Sequence, residues 1–246
     1  LYRQGSTLRY RRFGGGSTPL VEDTVTSTID TALAVTSSGV VYAVHGHNDG
    51  LRFAHRAANG TWGHTTVFTP ATSGKRTIMF GIALDAGGKV HVAHGREAGT
   101  DQKSDRLWHT SNESGSWVTT LVTDSQGPGH LPSVVVDGSG AVHILHSRFD
   151  SSSPQLRLES RASPTSSWTS QSVAGETQTS YPTLLLGTAG SLHVVYRTWA
   201  LKRLRHRRYA SGSWSSALTI DSGNNEMGRW ACAARGPNGR LHAIYE

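Results

Sequence analysis

The sequence predicts an all-β, five-bladed β-propeller with four-stranded blades, and three features of its 246 residues support this prediction. The first is a motif, Gly-x-(Val/Leu)-His-x-x-(His/Tyr), which occurs five times, once with Tyr in place of the first His. The second is its spacing: the motif glycines lie 49, 52, 50 and 49 residues apart, a period typical of repeat architectures. The third is that each repeat holds four short β-rich segments, as a propeller blade does. The motifs begin at Gly39, Gly88, Gly140, Gly190 and Gly239.

Each motif is expected to form a β-hairpin with the apolar run before it, because the two are joined by a short Gly-containing turn. These runs are 32–35, 81–84, 133–136, 183–186 and 231–234. Both strands are apolar on both faces, which indicates sheets that are buried on two sides. A third segment follows the motif, and a fourth begins at a recurring tryptophan that is expected to pack between blades. The tryptophans are Trp62, Trp117, Trp168 and Trp214.

The two ends of the chain predict one shared blade. Residues 229–246 have the pattern of the first two strands, and residues 1–23 have that of the last two. Joining them gives an interval of 46 residues between the last and first motif glycines, close to the other four. A ring closed in this way has no free sheet edges. We therefore expect a single domain whose blades are 28–70, 77–123, 130–174, 181–220, and 229–246 plus 1–23.

Charge and composition narrow the function classes. The formal net charge is +7, and only four of the 24 basic residues are lysines. Arginine suits carboxylate, sulfate or phosphate partners. Arg203, Arg205 and Arg207 alternate along one predicted strand and, with residues 9–12 next door, predict a basic sector on the flank. Nucleic-acid binding would depend on positive charge alone and is not favoured.

The apolar runs and the single cysteine bear on where the protein is located and whether it holds a disulfide. No apolar run approaches the ~20 residues of a membrane helix, so we expect no membrane association. The single cysteine, Cys232, excludes an intrachain disulfide and is expected to be an inert core residue. We expect a secreted monomer whose signal peptide has been removed.

The first histidine of the motif is expected to be buried and hydrogen-bonded. Residues three apart on a strand point to opposite faces, so His91 with His94, or His143 with His146, cannot chelate one ion. We therefore predict no metal site and no cofactor. The four histidines at this position are His91, His143, His193 and His242.

Strand direction places the chemically rich segments on one rim, where first strands begin and second strands end. We call this the top rim. Function is expected on such loops, since they are set on a rigid scaffold. The residues expected to contact a substrate there are His45, His47, His94, Arg96, Arg148, Tyr196, Trp199, Arg229, Trp230 and Tyr245.

Two top-rim pairs form a candidate catalytic set. His130 and His146 are sixteen residues apart, as are Tyr181 and Arg197, and we interpret the pairs as equivalent places in neighbouring blades. Arginine can neutralise the carboxylate of a uronic acid and so acidify its C5 proton, while His or Tyr acts as base and acid. The alternative is that these side chains pack and hydrogen-bond among blades.

The segment Gly190–Arg197, Gly-Ser-Leu-His-Val-Val-Tyr-Arg, with the later Gly-Ser-Trp at 212–214, resembles the sialidase-type (BNR-like) propeller repeats of carbohydrate-active proteins. The four-residue set His130, His146, Tyr181 and Arg197 is similar to the site of ulvan-lyase-like polysaccharide lyases. This resemblance implies cleavage of an anionic, uronate-containing polysaccharide by β-elimination. The alternatives are a lectin-like glycan-binding propeller and an engineered or truncated propeller without activity.

Overall fold

The computed structural model describes residues 2–4, 7–9, 31–36, 38–47, 50–56, 61–69, 77–96, 106–123, 130–148, 155–173, 179–198, 201–222 and 231–245. The side chains of residues 2–4, 7–9, 47, 77, 78, 96, 130 and 180 are not among the described ones. The described residues form strands and turns, with one short 3-10 turn at Thr188–Gly190. The prediction of an all-β fold is confirmed.

The strands form antiparallel sheets in chain order. A two-stranded sheet holds β1 (Tyr2–Gln4) and β2 (Thr7–Arg9). Sheet one holds β3 (Thr31–Val35), β4 (Val41–His47), β5 (Gly50–Arg56) and β6 (Trp62–Phe68). Sheet two holds β7 (Thr77–Leu84), β8 (Val90–Arg96), β9 (Arg106–Ser111) and β10 (Val118–Thr123). Sheet three holds β11 (His130–Val136), β12 (Val142–Arg148), β13 (Gln155–Arg161) and β14 (Thr169–Ser172).

Sheet four holds β15 (Thr179–Leu186), β16 (Leu192–Thr198), β17 (Arg203–Ala210), β18 (Ser213–Trp214) and β19 (Leu218–Asp221), the last two both pairing with β17. Sheet five holds β20 (Cys232–Arg235) and β21 (Leu241–Ile244). The predicted strand order within a repeat is therefore confirmed for four repeats.

The motif glycine recurs because the turn before the second strand needs a left-handed backbone. All five motif glycines have positive φ angles, between 72° and 87°. Residues with a Cβ rarely adopt this conformation, whereas glycine adopts it without steric cost. The period seen in the sequence is thus the period of a hairpin turn.

First strands of consecutive sheets lie against each other, β3 with β7, β7 with β11, β11 with β15, and β15 with β20. Small residues allow this close approach. A Cβ added to Gly81 would lie 2.7 Å from the carbonyl oxygen of Pro132 in the next sheet. One sheet further on, the backbone N–H of Leu184 donates to Ser133 Oγ at 3.0 Å. This sequential packing of first strands is consistent with a propeller.

The core lies between sheets, as the two-sided apolar strands predict. Each interface has its own cluster: Val44, Leu51 and Val92 between sheets one and two, and Ile144 and Leu107 between sheets two and three. Trp117, Trp168 and Trp214 pack against three successive clusters. The predicted role of the recurring tryptophan is confirmed at these three positions.

Sheets one and five present apolar side chains to solvent. Ile244 is 80% exposed, and Val35 is 52% exposed. Cys232, predicted to be in the core, is exposed because it pairs with Ile244 on a sheet of two described strands. In the described part of the chain, β1 pairs with β2 and not with β21. The five-blade count and the closure by both ends remain predictions.

A search of the described residues finds no helix of the length and apolarity that a membrane crossing requires.

Candidate functional site

The first motif histidine is a structural residue in three repeats. Its Nδ1 lies 3.2 Å from His109 Nε2 at His91, 2.9 Å from Ser160 Oγ at His143, and 2.9 Å from His206 Nε2 at His193. The predicted hydrogen bonding is confirmed there. His242 is exposed, so the prediction of burial is wrong for that copy. Its sheet has no described third strand to cover it.

The last motif residue lies between sheets and not on the rim surface. His94 is fully buried against Phe68 of sheet one, with ring centroids 5.2 Å apart, and its Nε2 lies 2.8 Å from Thr110 Oγ1. Burial lowers the pKa of His94 to about 3. Tyr196 packs in the cluster between sheets three and four.

The placement of these side chains differs from the sequence prediction because the last motif residue faces the preceding sheet, as His94 and Tyr196 show. His45, His94, His146 and Tyr196 are at most 1% exposed. Tyr245 is half-buried, and its hydroxyl donates to Asp221 Oδ2 at 2.7 Å. That hydrogen bond raises the pKa of Tyr245. The structure therefore corrects the expected surface placement of His45, His94 and Tyr196.

His146, predicted to be catalytic, is completely buried. Its Nε2 lies 3.2 Å from Glu159 Oε1, and Ser170 Oγ donates to the same carboxylate oxygen at 2.8 Å. The histidine is thus held inside a hydrogen-bonded cluster of its own sheet. A role as base would require substrate to reach this buried position.

The register of the first strands changes the expected equivalence of the catalytic pairs. His130 pairs with Ser147, and Ser180 pairs with Arg197. Leu131 and Tyr181 share a φ of 51°, and each precedes a proline. Tyr181 therefore corresponds to Leu131 and not to His130. The pairs His130/His146 and Tyr181/Arg197 share a spacing of sixteen residues, but the second pair lies one position further along its strands than the first.

The left-handed residue at the start of the first strand is a feature of the repeat. Met79 has a φ of 55°, and register shifts accompany all three positions, between 78 and 80, 130 and 133, and 180 and 183. A β-bulge of this kind bends the strand and re-aims its side chains. Met79 and Leu131 hold the same left-handed position in sheets two and three. The backbone strain at Tyr181 is therefore not by itself evidence for a catalytic role.

The top rim gathers arginines at the ends of second strands. Arg96 ends β8, Arg148 ends β12, and Arg197 is the second-last residue of β16. Arg148 and Tyr181 are half-buried, whereas Arg197 is 1% exposed. The side chains of His47, Arg96 and His130 lie outside the described ones, as do residues 199, 229 and 230 entirely. Those last three are the predicted substrate contacts Trp199, Arg229 and Trp230.

The carboxylates of the described residues do not form a facing pair at the top rim. Asp85, Glu113 and Asp137 lie in turns at the opposite rim. Glu159 and Asp221 are hydrogen-bonded to His146 and Tyr245. Glycoside hydrolysis by two carboxylates requires a separation of about 5–9.5 Å across the scissile bond. The described part of the site therefore offers positive charge and hydroxyl groups.

A buried polar cluster between sheets two and three was not foreseen from the sequence. Arg161 donates to Glu113 and lies over the ring of Trp168, with its central carbon 5.1 Å from the ring centroid. Burial lowers the pKa of His109 well below its ordinary value. The sequence feature that could have indicated polar contacts inside the sheets is the aspartate that recurs just before the motif, as Asp85 and Asp137.

The chain matches no protein-family model and no curated protein sequence. Its fold is similar to solved structures. One is a protein of unknown function from Dyadobacter fermentans, with a TM-score of 0.64 and 10% identity over 87% of this chain and 74% of that one. Another is a Hadza microbial sialidase, also with a TM-score of 0.64 and 10% identity, over 87% of this chain.

A third similar structure is the Trypanosoma rangeli sialidase in complex with sialic acid, with a TM-score of 0.60 and 12% identity over 99% of this chain. This chain spans about half the length of both sialidases, 52% and 46% respectively. At these identities the likeness concerns the fold. It places the described sheets in the same class as the sialidase propellers, which agrees with the resemblance seen in the repeats.

Proposed function

We propose that this chain is a carbohydrate-active propeller that binds an acidic glycan at its top rim. The observation that carries the proposal is an arginine at or beside the end of the second strand in three consecutive sheets: Arg96 and Arg148 end β8 and β12, and Arg197 is the second-last residue of β16. Second strands end at the same rim, so the repeat brings three cations to one side of the molecule. Guanidinium groups bind carboxylates through paired hydrogen bonds.

The net charge of +7 and the low lysine count also support an anionic ligand. The likeness in fold to the sialidases, one of them in complex with sialic acid, supports a sugar as the ligand class. The half-buried side chain of Tyr181 can contribute an aromatic face or a hydroxyl to such a ligand. Among the residues expected to touch it, the half-buried Arg148 and Tyr181 form the core of the proposed site, and the 1% exposed Arg197 lies beneath them as a further cation.

A second candidate is cleavage by β-elimination. Arg197 pairs with Ser180, the residue before Tyr181, so one cation and one phenol belong to adjoining backbone positions at the rim. In this reaction Arg197 neutralises the carboxylate beside C5, and the Tyr181 phenolate takes the C5 proton as the C4–C5 double bond forms and the C4–O4 bond breaks. Tyr181 then gives that proton to the leaving O4 oxygen. The burial of His146 against Glu159 favours Tyr181 over His146 as the proton carrier. His130 remains a proposed neighbour of the substrate.

The test is incubation with a panel of uronate-containing polysaccharides, with binding measured by calorimetry and cleavage by the ultraviolet absorbance of an unsaturated product. Arg148→Gln should weaken binding about tenfold, because it removes one charge-assisted contact. Arg157→Gln, at a half-buried arginine on β13 that donates to Ser170, is the matched control and should bind as the wild type does. Binding without unsaturated ends supports the lectin reading. No binding to any acidic glycan contradicts the proposal.

Tyr181→Phe separates the two candidates further. It removes one hydroxyl and little shape, so elimination should lose kcat while the glycan still binds. A Tyr181→Phe variant that cleaves as fast as the wild type would exclude Tyr181 as the proton carrier.

A further inference from the structure

Two sheets hold the same pair of hydrogen-bonded histidines. In sheet two, His91 Nδ1 lies 3.2 Å from His109 Nε2, and in sheet four, His193 Nδ1 lies 2.9 Å from His206 Nε2. The ring centroids are 5.3 Å and 5.2 Å apart. Both pairs join the second strand to the third at the same register. Sheet two is therefore an internal reference for sheet four.

The pair in sheet two is surrounded by compensating charges. Asp85 Oδ2 lies 3.8 Å from His91 Nε2, and Glu113 Oε1 lies 3.8 Å from His91 Nδ1. The nearby cation, Arg161, is bonded to Glu113 and covered by Trp168. The carboxylates and the guanidinium therefore balance each other's charge in sheet two. His91 and His109 are inaccessible to solvent.

The pair in sheet four lacks the aspartate of sheet two. Asp85 and Gly187 occupy the same turn position, since the backbone N–H of each donates across the turn, to the carbonyl oxygens of Lys89 and Ser191. A Cβ at Gly187 would lie 2.7 Å from His193 Nε2, so the imidazole fills the space of a side chain. No carboxylate can reach His193 from this turn.

The charged neighbours of the pair in sheet four are arginines. Arg208 pairs directly with His193, where sheet two has Ser111 opposite His91. Arg235 comes from sheet five, and its Nη2 lies 3.3 Å from the Cβ position of Gly239, over the turn between β20 and β21. Both arginines are exposed. Burial lowers the pKa of His193, and His206, Arg208 and Arg235 lower it further.

We infer that His193, His206, Arg208 and Arg235 form a binding site for a tetrahedral oxyanion, sulfate or phosphate. We call this set the cationic seam. The one described carboxylate of sheets four and five, Asp221, is bonded to Tyr245 at the other end of β17. Two guanidinium forks from two sheets can each bind a pair of oxygens, which a tetrahedral anion offers and a carboxylate does not. The imidazoles add N–H donors.

The cationic seam is separate from the proposed glycan site. His193 and Arg197 are four residues apart on β16, which corresponds to about 13 Å along a strand. His193 lies near the rim opposite the top rim. The inference therefore does not depend on the glycan, and a failure of one proposal leaves the other standing.

The experiment is an NMR titration of the histidine side chains with sodium sulfate and with sodium phosphate, at an ionic strength held constant with chloride. We expect saturable shifts of the His193 and His206 resonances, while those of His91 and His109 stay in place. Sulfate binding should strengthen as the pH falls below 6.5, because the pKa values of His193 and His206 are lowered from 6.5 and a protonated imidazole attracts the anion more strongly.

Arg208→Gln and Arg235→Gln should each weaken the affinity about tenfold, the loss of one charge-assisted contact. Arg208→Lys keeps the charge without the fork and should bind with intermediate affinity. Arg157→Gln, at a half-buried arginine of sheet three, is the matched control and should leave the titration unchanged. Shifts that grow linearly with salt, that are equal for all four histidines, or that survive both glutamine variants would overturn the assignment.

Discussion

Replacing the motif glycine of the third repeat tests why the motif recurs. Gly140 has a φ of +87°, and a Cβ built on it would meet no atom within 4 Å. Gly140→Ala therefore introduces backbone strain without a steric clash. The left-handed conformation costs an L-residue about 1–2 kcal/mol, and a domain of this size loses about 2–4 °C of Tm per kcal/mol. We expect Gly140→Ala to melt roughly 2–8 °C below its control.

The control is Gly138→Ala in the same turn. Gly138 also has open space around its Cβ position, but its φ is outside the left-handed region. Both variants restrict the unfolded chain equally, so the difference between them isolates the native backbone. Thermal unfolding followed by circular dichroism gives both Tm values. If Gly140→Ala melts together with Gly138→Ala, the glycine period does not reflect a backbone requirement.

Three further predictions concern pH, chain closure and charge. The folded pKa of His94, about 3, lies below its unfolded value of 6.5, so the stability it contributes is present above pH 6.5 and is lost as the pH falls. At pH 4.5 the loss is about 2–3 kcal/mol, and a His94→Gln variant that shows the same acid sensitivity in urea unfolding would contradict this. Deletion of residues 1–12 should lower the Tm of the whole domain if both ends share a blade, whereas an unchanged Tm would exclude that closure. Arg203, Arg205 and Arg207, half-buried on one face of β17, should give heparin binding that weakens steeply with salt, and salt-independent retention would argue against a basic sector.

The fold could be predicted from the sequence because its signals are local. The motif glycines mark left-handed turns, and the tryptophans at 117, 168 and 214 mark the interfaces between sheets. Each depends on one backbone conformation or one packing position, which the repeat displays several times. Cys232 was misassigned because its neighbours are apolar, and apolar neighbours do not reveal whether another sheet covers a strand.

The site was harder to predict because equal sequence spacing does not prove that two residues occupy equivalent positions in neighbouring sheets. Equal sequence spacing made Tyr181 match His130, but the shared left-handed conformation shows that Tyr181 is equivalent to Leu131. A shift of one position moves a side chain to the other face of a strand. The same alternation turned His94 and His146 inwards, where a rim position had been expected. The sequence shows an aspartate at 85 and a glycine at the equivalent position 187. The consequence of that difference became clear only when the structure showed a histidine pair beside each turn.

The most direct test of the central claim compares an acidic oligosaccharide with its neutral counterpart. A uronate oligosaccharide and the same oligosaccharide with its carboxyl groups reduced to alcohols are titrated into the wild-type protein by calorimetry. Saturable binding of the uronate, with at least about tenfold weaker binding of the reduced sugar, is the predicted result, because the arginines of the top rim recognise the carboxylate. Equal affinity for the two sugars, or no binding of either, would contradict recognition of an acidic glycan.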